Sequence, residues 1–134
     1  MAIETNIMKK IISTNNAPAA IGPYSQAVKV NGFLFSAGQI GIDPSTGQLV
    51  DGGAEKEIEQ VIKNLDSILE AEGLNRTHIT KLTVYVTNLS TFNILNNAFT
   101  HYFNGSDFPA RSTVEVSALP LGASVEVDFI AFIS

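Results

Sequence analysis

The chain has 134 residues, 45% of them hydrophobic, which predicts a single domain over residues 1–134, with about residues 1–8 as a flexible N-terminal extension. Eight Lys and Arg against 13 Asp and Glu leave a formal charge of -5; with Lys9-Lys10 the only adjacent basic pair, no nucleic-acid partner is expected. The lack of Cys excludes disulfides, thiolate catalysis and zinc-thiolate sites.

Residues 1–13 carry Glu4 and have neither an apolar segment ending in a cleavage site nor the Arg-rich pattern of a transit peptide. No run approaches the roughly 20 apolar residues of a membrane span. The expectation is a soluble, cytoplasmic protein with no membrane partner.

Ile11 and Ile12 form a short apolar pair ahead of Asn15, Asn16, Ala17 and Pro18, which reads as an edge strand and a loop, because Pro18 disfavours helical geometry at Ala17. Residues 25–30 and 33–42 are strand-like runs separated only by Asn31-Gly32, the pair that most readily supplies the two positive φ angles of a type I′ turn. The turn-rich Asp43-Pro44-Ser45-Thr46-Gly47 comes next. Over residues 55–72, Ile58, Val61, Ile62, Leu65, Ile68 and Leu69 recur at helical spacing, and Gly73 suits the left-handed residue past the end. Residues 79–87 alternate Leu82, Val84 and Val86 with Lys81, Thr83 and Tyr85, as in a strand covered on one side. A second helix starts at Ser90 or Thr91 and carries Phe92, Leu95, Phe99 and Tyr102 in one stripe. Residues 112–118 and 124–133 are two alternating strands joined by Leu119-Pro120-Leu121-Gly122.

The order βββαβαββ predicts an α+β fold in which two helices cover one face of a mixed sheet. The last strand puts Ile130 and Phe132 on the face that also carries Glu126 and Asp128, and no element of the chain remains to cover it. Burial against further copies, a homo-oligomer, follows.

Few residues could carry chemistry. Arg76, within Leu74-Asn75-Arg76-Thr77, reads as a solvated surface charge. Arg111 follows Phe108-Pro109-Ala110 and opens a strand, so a rigid Pro and a small Ala hold an always-charged fork at a sheet end. It reads equally as an edge charge that deters aggregation and as an anchor donating two parallel hydrogen bonds to a planar carboxylate. Glu126 and Asp128 share a strand face. They read first as solvated carboxylates, and otherwise as partly desolvated acids able to exchange protons near neutral pH. His78 in a turn and His101 on a polar helix flank have no Ser or metal-type partner at a meaningful spacing and read as surface histidines, so no metal site is expected. Gly38 and Gly41 lie inside a strand, so they form neither a P-loop nor a dinucleotide fingerprint and mark a bulge or a close approach.

Three segments then stand out together: Asn16-Ala17-Pro18-Ala19-Ala20-Ile21-Gly22-Pro23-Tyr24-Ser25-Gln26-Ala27, Ser36-Ala37-Gly38-Gln39-Ile40-Gly41, and Phe108-Pro109-Ala110-Arg111-Ser112-Thr113-Val114-Glu115-Val116. In order and spacing they resemble the signature blocks of the RidA (YjgF-like) family, over a similarity running from about Lys10 to Ile133. The resemblance implies a chorismate-mutase-like fold, a homotrimer with a central barrel, and ligand clefts between subunits. It implies hydrolytic deamination of 2-imino or enamine acids to 2-keto acids and ammonia, with no cofactor and with a small carboxylate-bearing substrate as partner. By the same resemblance Arg111 clamps the substrate carboxylate and Glu126 positions or activates water. Tyr24, Gly38, Gln39, Asn96 and Thr113 line the cleft. Many members have Ser where this chain has Ala37 and Cys where it has Thr113. The loss of the hydroxyl at Ala37 keeps open a second reading, a keto-acid-binding regulator. The family's description as ribonucleases that inhibit translation sits poorly with the acidic balance.

Overall fold

The computed structural model describes residues 8–133, so the expected N-terminal extension lies outside it except for Met8, which is exposed. In chain order the elements are β1 (Lys10–Ile12), β2 (Ala27–Val30), β3 (Phe33–Ser36), β4 (Ile42–Asp43), β5 (Gln48–Leu49), α1 (Gly53–Glu70), β6 (Ile79–Val86), α2 (Phe92–Tyr102), β7 (Ala110–Glu115) and β8 (Val125–Phe132). Asn31 and Gly32 both adopt positive φ, 51° and 82°, at the turn between β2 and β3, as their sequence requires.

One mixed sheet has the order β1-β2-β3-β8-β6-β7, with β6 and β7 parallel and every other neighbouring pair antiparallel. Parallel neighbours need a crossover, and α2 supplies it between β6 and β7. Because β8 runs antiparallel to both β3 and β6, these two are also parallel, and α1 makes the longer crossover between them. Both helices pack on one face. Ile58, Leu65 and Ile68 of α1 and Leu95 and Phe99 of α2 join Leu34, Leu82, Val84, Val127 and Phe129 of the sheet in a continuous core.

The two-residue period of the strands then fixes what faces away. On β8, Val125, Val127, Phe129 and Ala131 are fully buried beneath the helices, while Glu126, Asp128, Ile130 and Phe132 point to the other side. On β6, Leu82, Val84 and Val86 point in, and Lys81, Thr83 and Tyr85 point out. Phe33, Phe35 and Phe132 remain 38%, 40% and 39% exposed on that second face, which no described residue covers. Phe33 and Phe132 pack with ring centroids 4.7 Å apart.

Several details differ from the sequence reading. The strand expected over residues 33–42 breaks after Ser36, whose Oγ accepts the Phe129 N–H at 2.9 Å. Gln39 then rejoins β8 through a bridge to Val127, and Ile42–Asp43 turns away to form a separate hairpin with Gln48–Leu49, an element pair the sequence reading lacked. The Asp43 carboxylate accepts from the Ser45 amide and hydroxyl at 2.8 and 2.7 Å, locking that hairpin turn. Thr91 is the N-cap of α2, as expected, but its side chain makes no capping bond; the side-chain cap lies one turn earlier, where Asn88 Oδ1 accepts from the Ser90 amide at 2.9 Å ahead of the 3-10 turn Leu89–Thr91. β7 begins at Ala110 because its register is set by pairing with β6 from Lys81 onward. Arg76 is not a freely solvated charge: it is half-buried and donates to the Asn104 carbonyl at 3.3 Å. His78 Nδ1 accepts the Asn75 amide at 3.1 Å and closes a local capping box, while His101 is exposed.

Glu72, just past α1, ties that helix to the sheet edge. Its carboxylate is 9% exposed and meets Lys10 at 3.1 Å and Lys29 at 3.2 Å. Burial alone would raise its pKa, but hydrogen bonds and charges from Lys10 and Lys29 outweigh this and hold it below the ordinary Glu value. A depressed folded-state pKa means that the stabilisation is present above the unfolded carboxylate pKa and is lost as pH falls through the folded one. Glu72→Gln should therefore lower Tm by about 2 °C at pH 7. That difference should shrink toward zero on acidification, measured by thermal melts across pH.

Candidate functional site

One concavity holds Tyr24, Gly38, Gln39 and Glu126 and a second holds Asn96 and Arg111, while Thr113 lines neither. The first, about 270 Å³, is lined by Ile21 and Tyr24 of the loop before β2, by Ala37, Gly38 and Gln39 after β3, and by Pro120 and Glu126. Its walls are backbone-rich and held from behind by buried polar side chains.

Gln26 supplies one of these supports. Its Oε1 accepts the Thr14 amide at 2.7 Å, and its Nε2 donates to the carbonyls of Thr14 at 3.0 Å and Pro18 at 2.8 Å. One amide thereby fixes the loop that carries Ile21 and Tyr24. The Tyr24 hydroxyl accepts the Ile21 amide at 3.1 Å, which sets the ring orientation.

A second support comes from α1. Asn64, fully buried, donates to the carbonyls of Ile40 at 3.3 Å and Ile42 at 2.9 Å and accepts from Gln60 at 2.9 Å. Glu57, also buried, accepts the Ser124 amide at 2.7 Å just ahead of β8. Between them Gln39 exchanges two backbone hydrogen bonds with Val127, at 2.8 and 3.0 Å.

Gly38 faces Glu126 so closely that a Cβ there would lie 2.2 Å from Oε2. The absence of a side chain at Gly38 is what gives Glu126 its place. Burial, and next the charge of Asp128, push the Glu126 pKa above the ordinary Glu value. Asp128 is itself raised by burial, with Tyr85 and Lys81 working against the rise.

The second concavity, about 250 Å³, lies under α2 at the β7 edge and is lined by Asn96, Phe99, Phe108, Pro109 and Arg111 among others. Arg111 donates through Nη2 to Asn96 Oδ1 at 2.7 Å. Its guanidinium carbon sits 5.3 Å from the Phe92 ring centroid and 5.6 Å from that of Phe99. Two aromatic faces and one amide therefore hold the fork in place while its other N–H groups make no hydrogen bond to the described residues. Thr113, two residues along the strand and on the same face, has a buried Oγ1 with no hydrogen-bond partner among the described residues.

Register decides how the two concavities relate. Arg111 lies opposite Leu82, and Thr113 opposite Val84, both core residues, so they face the helices. Glu126 lies opposite Tyr85 on the other face. One chain thus brings Arg111, Asn96 and Thr113 together, and separately Tyr24, Gly38, Gln39 and Glu126, but it does not bring Arg111 and Glu126 into one pocket. Sequence reading missed Phe92 and Phe99 as supports of the fork, and it missed Gln26, Glu57 and Asn64 behind the loops. Asn64 did leave a signal, as the one polar residue in the stripe of Val61, Leu65 and Ile68.

The comparisons agree with the resemblance. A family model described as endoribonuclease L-PSP matches residues 14–133. The chain belongs to this family, the RidA (YjgF-like) proteins. A mouse protein named 2-iminobutanoate/2-iminopropanoate deaminase is 47% identical over 127 residues, 95% of this chain and 93% of its own length. A RutC family protein of Aquifex aeolicus is 53% identical over 121 residues, covering 90% of this chain and 96% of that one. Among solved structures, a Rid-family protein of unknown function from Yersinia pestis is 50% identical, with a TM-score of 0.91 over 93% of this chain and 99% of its own. The α+β arrangement of two helices on a mainly antiparallel sheet is thus the fold of RidA proteins.

In this RidA chain, Asn64→Leu would remove the buried side-chain donor from the Ile42 carbonyl and leave the Ile40 carbonyl with only the Ile42 amide, at 2.8 Å. It should destabilise the fold by about 2–3 kcal/mol, read from urea unfolding curves.

Proposed function

We propose that this protein hydrolyses 2-imino acids, such as 2-iminopropanoate and 2-iminobutanoate, to 2-keto acids and ammonia in sites shared between the subunits of a homotrimer. The observation that carries the reading is the split of the two half-sites. A fork with free donors and a half-desolvated carboxylate face opposite sides of one sheet, so each is completed only by another chain. The aromatic second face, with Phe33, Phe35 and Phe132 exposed, supplies the apolar surface such an assembly buries in a central barrel. The name of the mouse relative supports the chemistry.

In the shared cleft, Arg111 of one subunit grips the substrate carboxylate with two parallel hydrogen bonds while Asn96 and the two phenyl rings keep the fork aimed. Glu126 of the neighbour, against Gly38, holds a water facing the imine carbon. Fixing water and substrate together removes the entropy of encounter from the barrier. The water oxygen bonds to carbon, the C=N π electrons move to nitrogen, and Glu126 takes a proton from the water and passes it to nitrogen. Glu126 then takes the hydroxyl proton and delivers it to the amine nitrogen, so the C–N bond breaks as the carbonyl forms and ammonia departs. Tyr24 and Gln39 form the cleft wall, and the Thr113 backbone carbonyl, with its unpartnered hydroxyl nearby, serves the polar end of the substrate. The chemistry needs no cofactor, and the single-domain chain works as a cytoplasmic small-molecule enzyme. Among the described residues no helix is long and apolar enough to cross a membrane.

The ribonuclease reading attached to the family's description is the weaker one here, because a net charge of -5 without a basic stripe repels a phosphate backbone. RNA cleavage by highly purified protein that disappears in Arg111→Lys would favour it. Saturable 2-ketobutanoate binding without imine turnover would favour a regulator.

Arg111→Lys should lose most imine hydrolysis, about 100-fold in kcat/KM, while light scattering still reports a trimer, since an ammonium cannot reproduce the bidentate fork. Inactive Arg111→Lys and Glu126→Gln chains refolded together at equal ratio should recover about a quarter of wild-type activity. In a cyclic trimer that fraction of interfaces pairs an intact Arg111 with an intact Glu126. No recovery on mixing would overturn the shared site.

A further inference from the structure

We infer that Asp128 is a positioning residue for this reaction: two residues along β8 on the same half-buried face as Glu126, and diagonal to Tyr85 of β6, it governs the proton exchange of the Glu126 carboxyl. The inference rests on Glu126 being the water-activating group proposed above and names a residue that reading does not use.

The geometry is that of a strand pair. Glu126 and Asp128 stand two apart on β8, both half-buried on the same face, flanked further along by Ile130 and Phe132. Across the register, Tyr85 of β6 lies opposite Glu126, and Thr83 lies opposite Asp128. Next along β6, Lys81 donates to Ser112 Oγ of β7 at 3.2 Å. On the β3 side the neighbour is Phe35, opposite Ile130, and the loop after β3 presents Gly38 and Gln39, so that side brings no charge. Within the chain the titratable groups that face Glu126 are therefore Asp128 and Tyr85, with Tyr24 in the same concavity and Lys81 farther off; in the shared cleft proposed above the neighbour's Arg111 faces it too and works against the rise. Among the described residues neither carboxylate forms a salt bridge.

Two carboxylates on one half-desolvated surface cannot both ionise at their ordinary values, since each charge disfavours the other. Tyr85 decides which keeps its charge more readily. Its own pKa is raised, first by burial and then by Asp128, so its hydroxyl stays protonated beside Asp128 and favours the charged form there. A charged Asp128 then raises Glu126 in turn. A base that is too acidic would hold its proton too weakly to take one from water, and one close to the working pH serves both halves of the exchange.

The test is the pH profile of kcat/KM for 2-iminopropanoate hydrolysis. Asp128→Asn should move the acid limb to lower pH and reduce turnover at neutral pH by about tenfold. Asp128→Glu, which restores the charge, should leave the limb near its original place. Tyr85→Phe should shift it in the same direction as Asp128→Asn but less, because Asp128 loses its hydroxyl partner. A merely structural Asp128 would change stability or overall rate without moving the limb, and an unmoved limb in Asp128→Asn overturns the inference. Should Asp128→Asn fail to fold, carbon-13 titration of the two carboxyls in the unsubstituted protein decides: two coupled steps support the inference, and independent titrations at ordinary values overturn it. Glu126→Gln separates this from the reading beneath it. If that variant keeps full activity, the water-activating role of Glu126 falls; if it is inactive while Asp128→Asn keeps the original profile, only the role of Asp128 falls.

Discussion

The two-residue period of β8 sends Val125, Val127, Phe129 and Ala131 into the core and, by the same alternation, turns Glu126, Asp128, Ile130 and Phe132 outward. Neither half of that pattern can change alone. A one-residue slip would bury two carboxylates under the helices and expose four core side chains. Because β8 lies between β3 and β6, its register also dictates that of its neighbours, and through β6 it fixes the face on which Arg111 lands.

The placement of Arg111 is a second consequence of pairing rather than of local sequence. β7 runs parallel to β6 with Arg111 opposite buried Leu82, so the guanidinium meets α2 and settles against Phe92, Phe99 and Asn96. A cation on the helix side and a carboxylate on the open side are the outcome of one register, and that separation makes an assembly part of the proposed chemistry.

Much of this was legible in the sequence, because strand and helix periods are local signals. Asn31-Gly32 specified its turn, the alternation of residues 79–87 specified a half-covered strand, and the polar and apolar sides of residues 124–133 were assigned correctly. Gly38 read as a strand glycine marking a bulge or a close approach, but it lies past the end of β3 and what approaches it is the Glu126 side chain. What could not be read depended on partners distant in the chain. The strand over residues 33–42 ends at Ser36 because a β8 amide takes its hydroxyl. Asn64 sits in an apolar stripe because its amide donates to the buried carbonyls of Ile40 and Ile42, far away in the chain. Arg76 finds the Asn104 carbonyl instead of water. The separation of Arg111 from Glu126 was likewise hidden, since motif spacing says nothing about the face a parallel strand presents.

The aromatic seat of Arg111 carries an implication for speed. Its guanidinium is already stacked and tethered, so in the proposed role of carboxylate anchor little torsional freedom would remain to be lost on capture. The Glu126 carboxylate is likewise preset, by a backbone bridge at Gln39 and a missing Cβ at Gly38. An imine that decays unaided in water gives a catalyst little time. In the cleft proposed above, groups preset in this way would need no loop to close before a short-lived molecule is held.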